Sequence, residues 1–429
     1  MASIAIVFVL AYLMIALEHP LKINKSSIAL MAAGIMWTLW SLVSPAGTEG
    51  VLEQLKEKLA ETAQIVFFLI GAMTIVEVTD SHGGFEVITS RIKAKRLSTL
   101  LWIIGFIAFF LSSILDNMTT TIVMVTLMKR LLKDHNQRLF FAGIIVVAAN
   151  AGGAWTPIGD VTTTMLWIGG QITSLNIIKA LIVPSLVNLI VPLLVVSFFL
   201  KGPVVPPDKT TRRGVETTTF EKNLMFFMGM ASLIFVPIFK SITHMPPYLG
   251  ILLSLGFLWL VAEILHRNKP EEKRDYLTIA KAIRRIDMAS VAFFIGILLA
   301  VATMSADGQL PALAKLLDSK IGNQSVIVMI IGAVSAVVDN IPLVAATMGM
   351  YSMQTFPPDT FIWEFLAYCA GTGGSMLVIG SAAGVAAMGI EKIDFIWYAK
   401  KVGPLALLGY LSGAAAYMVQ YFLIHGGLH

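Results

Sequence analysis

Apolar residues run along this chain in stretches of spanning or near-spanning length at about 3–18, 27–45, 65–80, 97–133, 139–168, 176–200, 222–239, 247–265, 288–304, 323–352, 361–389 and 402–425. Two of them, 97–133 and 323–352, are long and carry a polar break at the centre. Each predicts a tight helix pair or a re-entrant hairpin that returns the chain to the side it came from. The 139–168 stretch is broken by NAGGAWTPIGDVTTT, which places Asn150, Gly152–Gly153, Pro157 and Asp160 inside an otherwise apolar run. A glycine pair and a proline interrupt a helical hydrogen-bond ladder, and a carboxylate near the bilayer centre costs roughly 2.5–3.5 kcal/mol on insertion scales. The pattern predicts a discontinuous helix whose freed backbone groups face a cavity, the construction transporters use for ion sites.

The pattern then repeats at an offset of about 220 residues. SSILDNMTTT is matched by SAVVDNIPLV, which sets Asp116–Asn117 against Asp339–Asn340. NAGGAWTPIGD is matched by GTGGSMLVIGS, where Ser381 stands in place of Asp160. Amphipathic stretches at 51–64 and 271–286 precede the third span of each half and predict helices lying in the membrane interface. The expected organisation is a first repeat over 1–200, a linker over 201–221 rich in Pro, Thr and charge, and a second repeat over 222–429. Each half contains five crossings and one returning pair, an odd number, so the second repeat enters the membrane upside down relative to the first. The fold class expected is therefore an all-α polytopic membrane protein of two inverted-topology repeats.

Composition agrees. The chain is 57% hydrophobic and 13% charged, where soluble domains carry roughly 25% charged residues. All Lys and Arg except Lys56, Lys58, Lys179, Lys240, Lys315 and Lys320 fall on one side of the predicted topology. The positive-inside rule makes that side cytoplasmic and puts both termini on the periplasmic side. The formal charge of +5 sits in short loops and indicates no nucleic-acid partner. The N-terminus lacks a basic n-region and a small-residue cleavage signal, so it reads as a first span. Cys369 is the single cysteine, which excludes a disulfide framework and a thiolate metal site, and reads as a packing residue.

The candidate chemistry is three aspartates in interrupted apolar stretches, Asp116, Asp160 and Asp339. They lie beside Asn117, Asn150, Thr156, Thr162, Thr163 and Asn340, with Ser375 and Ser381 from the fourth equivalent stretch. No Lys or Arg lies near the centres of these stretches in the sequence. Carboxylate, amide and hydroxyl oxygens suit a hard cation such as Na⁺ or Li⁺, and burial with mutual repulsion lets such carboxylates take a proton instead. Competition of the two cargoes for the same groups suffices for antiport. On this reading Asp116 and Asp160 are the exchanging pair, Na⁺ is held at Asp116, Asn117, Asn150 and Asp160, and Asp339 adds charge or a structural hydrogen bond. Glu77 within the third span and Asp80 at its end are possible pathway residues. The histidines fall in loops or at span ends, and His82 reads as a solvated rim residue. An aspartyl-protease dyad fits poorly, since Pro157-Ile158-Gly159-Asp160 lacks the first glycine of G-x-G-D. An anion, metalloid or dicarboxylate carrier is the remaining alternative.

LDNMTT and VDNIPL, with NAGGAWTPIGDVTT and GTGGSMLVIGSAAG, resemble NhaD-type sodium/proton antiporters of the ion transporter superfamily over essentially the whole chain. The resemblance implies a re-entrant hairpin in each half, discontinuous helices at 139–168 and 361–389, and transport of Na⁺ or Li⁺ against H⁺ without a cofactor. It further implies a homodimer with scaffold and transport domains, elevator-like alternating access, and a place in the cell inner membrane. Site residues carried over are Asp116, Asn117, Asn150, Asp160, Thr162 and Thr163, with Asp339, Asn340, Ser375 and Ser381. Dicarboxylate members carry neutral Ser-Asn-Thr tips where this chain has Asp-Asn.

Overall fold

A computed structural model describes residues 2–206 and 217–426. The central part of the expected linker, with Lys209, Arg212 and Arg213, lies outside the described residues, as does His429. The chain is all-helical. The first half opens with α1 (Ala2–Ala16), the short α2 (Glu18–Leu21), α3 (Lys25–Val43), α4 (Gly47–Ser81) and the short α5 (Glu86–Thr89). Then α6 (Leu97–Ser112) and α7 (Asn117–Leu131) form the predicted pair, α8 (His135–Ala154) and α9 (Val161–Ile168) the interrupted helix, and α10 (Ser174–Phe199) closes the half.

The second half also contains a helix pair followed by an interrupted helix. It opens with α11 (Thr219–Thr243), α12 (Pro247–His266), the short α13 (Glu271–Tyr276) and α14 (Ile279–Arg285), α15 (Met288–Ala306) and α16 (Gln309–Ile321). The pair α17 (Gln324–Val334) and α18 (Asn340–Met350) follows, then the interrupted α19 (Phe361–Gly373) and α20 (Ala382–Glu391), the short α21 (Phe395–Lys401) and α22 (Gly403–His425). Among the described residues eight helices, α3, α4, α8, α10, α11, α12, α15 and α22, are long and apolar enough to cross a membrane. Large apolar side chains such as Leu42, Phe199 and Leu423 stand exposed on their outer faces, as a lipid-facing surface requires.

The helices sort into two bundles. α1, α3, α4, α11, α12 and α15 pack on one another, and so do α6–α10 with α17–α20 and α22. At the centre of the second bundle α8 packs on α19, every residue of which is buried. The bundles meet chiefly where α18 lies against α15 and α9 against α4.

Three details depart from the sequence reading. The helix does not break at Gly152–Gly153 but runs through both to Ala154. A Cβ at Gly152 would stand 2.1 Å from the Phe109 carbonyl oxygen of α6, and one at Gly373 would stand 1.9 Å from the Gly332 carbonyl oxygen of α17. These glycines let backbones touch, the small-residue packing of membrane helices, and the break itself follows at 155–160 around Pro157. The amphipathic 51–64 segment is no separate interfacial helix. It is the first half of the 35-residue α4, about 50 Å long at the helical rise of about 1.5 Å per residue, against a hydrocarbon core of about 30 Å. The 271–286 segment is split at Leu277–Thr278 into α13 and α14, because Thr278 caps a new helix.

Candidate functional site

Asp116, Asp160, Asp339 and Ser381 are the N-caps of α7, α9, α18 and α20, and each accepts a hydrogen bond from a backbone N–H of the turn it precedes. Short side chains with an acceptor oxygen are what an N-cap requires. The residues that make these stretches polar are thus the reason the helices restart there. Each helix start carries a partial positive charge that favours an ionised carboxylate, offsetting part of the cost of burial.

A hydrogen-bonded chain crosses the two halves at this point. Asn117 Nδ2 donates to Asp160 Oδ2 (2.8 Å) and Asn150 Oδ1 (3.0 Å). Asn150 Nδ2 donates in turn to Ser375 Oγ (2.9 Å) and Ser381 Oγ (3.0 Å). Asp160 Oδ1 accepts from the Thr162 N–H and hydroxyl at 2.8 and 2.7 Å. All of these residues are buried, and Asp160 is 2% exposed. Asp116 is half-buried and accepts from the N–H and hydroxyl of Thr119. The hydroxyls of Thr120 and Thr121, in the first turn of α7, are buried without a hydrogen-bond partner, an oxygen supply that buried polar groups rarely leave unused.

A cavity of about 260 Å³ opens between the bundles at these residues. Asp116, Asn117, Asp160, Asp339 and Asn340 line it from the broken helices, while Glu77 and Asp80 line it from α4. Thr156 and Thr163 stand behind the wall. Thr156 ties the α6–α7 tip to the helix break, donating to the Ser113 carbonyl and accepting from the Gly159 N–H. Thr163 reaches only the Ala154 carbonyl, at 3.5 Å.

The sequence reading placed no cation near the centres, and that is corrected by two. Lys25 Nζ lies 2.7 Å from Asp339 Oδ2, and Arg285 Nη1 lies 3.5 Å from Glu77 Oε1, both on the cavity wall. The topology count only placed both on the cytoplasmic side, Lys25 in a loop and Arg285 in the 271–286 amphipathic stretch, and no signal in either sequence pointed inward. Among the described residues neither Asp116 nor Asp160 has such a partner.

His82 is not a solvated rim residue but fully buried. Its Nδ1–H donates to the Val78 carbonyl (2.6 Å), which leaves Nε2 to accept from His266 Nε2, 2.8 Å away. His266 Nδ1 is then bare, 4.0 Å from Glu221 Oε1. Burial holds the His82 pKa below its ordinary value. A histidine kept neutral in the fold contributes stability above its ordinary pKa of about 6.5 that is lost as pH falls. Acidification from about pH 7.5 to pH 5 is therefore expected to lower the melting temperature of the detergent-solubilised protein, and less so in His82→Asn, as thermal unfolding at the two pH values checks.

A second cavity of about 340 Å³ lies between the bundles at the other end of α9 and α18. It is lined by Met165 and Ile168 of α9 and Met348 and Gly349 of α18, where Val161, Asn340 and Ile341 line the first.

The sequence matches the family described as CitMHS: Citrate transporter over residues 4–365. It is 48% identical to Sodium/proton antiporter 1 of Arabidopsis thaliana, covering 98% of this chain and 73% of that protein. It is 30% identical to the Na(+)/H(+) antiporter NhaD of Vibrio cholerae, covering 96% of this chain and 90% of the other. The crystal structure of the Alcanivorax borkumensis YdaH transporter superposes with a TM-score of 0.59 over 94% of this chain and 97% of that one, at 10% identity, so the fold is shared. Interrupted helices meeting around buried carboxylates, in a multi-pass membrane protein, define a secondary ion transporter. Within that class the chain belongs to the NhaD-type sodium/proton antiporters.

Proposed function

We propose that this protein exchanges Na⁺ or Li⁺ for H⁺ by letting the two cargoes compete for Asp116 and Asp160. The observation that carries the reading is that these two carboxylates face one cavity without a basic partner, the deeper of them held by Asn117 and Thr162. Each then has capacity for one small cation. Asn117 and Asn150 set the ligand geometry, and Ser375 and Ser381 brace Asn150 from the second half. The relatives' names as sodium/proton antiporters point the same way.

The exchange needs no cofactor, since alternating access alone separates the two loading steps. The cavities at opposite ends of α9 support that step. α9 has eight residues, about 12 Å at the helical rise of about 1.5 Å per residue, so a slide of that order of one bundle past the other closes one cavity and opens the other. In this proposal residues 1–200 and 222–429 are inverted repeats joined by a cytoplasmic linker over 201–221. The α6–α7 and α17–α18 pairs are re-entrant, the protein sits in the cell inner membrane with both termini periplasmic, and two copies form a homodimer.

The family description names citrate, but an anion meeting Asp116 and Asp160 is repelled by both. Everted membrane vesicles loaded with a pH-sensitive dye decide. Dequenching on addition of Na⁺ or Li⁺ is the expected result, and a response only to citrate or arsenite overturns the proposal.

A further inference from the structure

One carboxylate of the cavity is already neutralised, and from the other bundle. Lys25 is the first residue of α3, which packs on α1, α4 and α15. Its ammonium lies 2.7 Å from Asp339 Oδ2 and 4.4 Å from the centre of the Phe293 ring of α15. Asp339 begins α18 in the second bundle, and its other oxygen accepts from the Ile341 N–H. Both oxygens are therefore engaged, and both side chains are largely shielded, at 25% and 12% exposure. Several charged neighbours face this pair, among them Glu18 of α2, whose carboxylate accepts from the Lys25 N–H at 3.3 Å, and Asp160 across the cavity. Asp116 shares the cavity wall, and Asp287, which caps α15, lines the same cavity.

A partner removed from a shielded pair leaves an uncompensated charge next to whatever else is in the cavity. Without Lys25 the site presents one more free carboxylate, which strengthens its hold on any cation. Without Asp339 it presents a free ammonium, which repels one. The two deletions act on cation affinity with opposite signs, a behaviour that a simple structural staple does not have.

We propose that Lys25 is a positioning residue of the exchange site, an internal cation that occupies Asp339 so that the transported ion meets one free carboxylate fewer. This rests on the exchange reading above. The consequence is a site tuned for release as well as capture, with Lys25 supplied by the bundle that carries none of the broken helices.

The test uses the purified full chain in proteoliposomes, with Na⁺-dependent proton flux measured over a range of Na⁺ concentrations. Exchange by the parent protein is measured first, and its absence would refute the exchange reading itself. Lys25→Ala is expected to lower the apparent KM for Na⁺ by about 3–10-fold and to slow the maximal rate, because release becomes harder. Asp339→Asn alone is expected to raise KM by a similar factor. The double variant Lys25→Ala/Asp339→Asn should return KM to within about twofold of the parent, the signature of direct coupling, and Lys25→Arg should hold it there. A KM unmoved by Lys25→Ala, or a double variant no closer to the parent than the single ones, overturns the proposal with exchange intact. Should Lys25→Ala fail to insert, Asp339→Asn still decides, since an unchanged or lowered KM there contradicts the inference.

Discussion

Asp160→Asn is expected to abolish Na⁺-dependent proton movement in vesicles while the protein still reaches the membrane in normal amounts. The carboxylate is the most deeply buried of the cavity's aspartates and accepts three hydrogen bonds, from the Thr162 N–H, the Thr162 hydroxyl and Asn117 Nδ2. An asparagine keeps one carbonyl oxygen for the Thr162 cap, so the start of α9 is retained at a cost of about 1 kcal/mol or less. It brings a second NH₂ against Asn117 Nδ2, where two donors meet. It also removes the charge for which proton and Na⁺ compete, and with it the exchange. Retained exchange at a rate near that of the parent would exclude Asp160 as the exchanging group. Asp116→Asn run beside it separates the two halves of the pair.

Gly152→Ala is expected to fail at assembly rather than at transport. The added methyl would stand 2.1 Å from the Phe109 carbonyl oxygen and 2.7 Å from its carbonyl carbon, and backbone does not yield as a side chain does. Overpacking a well-packed core costs about 1–3 kcal/mol and more when backbone must move. Here the movement separates α6 from α8, and with them the α6–α7 tip that positions Asn117 against Asp160. The measurement is monodispersity and melting temperature after detergent extraction, where the variant should aggregate or melt several degrees below the parent. Gly34→Ala on α3, where an added Cβ meets nothing within 4 Å, should behave as the parent.

Much of this arrangement was legible in the residue pattern. DN at the two tips, the NAGGAWTPIGD break and the near-match of GTGGSMLVIGS gave helix pairs and interrupted helices where α6–α9 and α17–α20 lie, because apolar length and polar interruption are local properties of a chain. The meeting of Asn117, Asn150 and Asp160 with Ser375 and Ser381 followed from treating the halves as copies. What stayed hidden depends on side chains whose partners are distant in sequence. Lys25 and Asp339 are 314 positions apart, and a lysine in a loop looks the same whether it meets water or a carboxylate. His82 was misread for the same reason, since its partner His266 closes over it from 184 positions away. The glycine pair was correctly noticed for the wrong cause. A missing side chain marks either a weak point in a helix or a contact between two helices, and only the neighbour distinguishes them.

That Asp116 and Asp160 cap the first turns of α7 and α9 gives the cargo of the proposed exchange a mechanical voice. A metal ion leaves each oxygen charged and its grip on the adjoining amide intact, whereas a proton weakens that grip. In the proposed exchange the occupant of the cavity therefore sets how firmly two helices are wound at their beginnings, so the part that would move is informed of its load by the same atoms that would hold it.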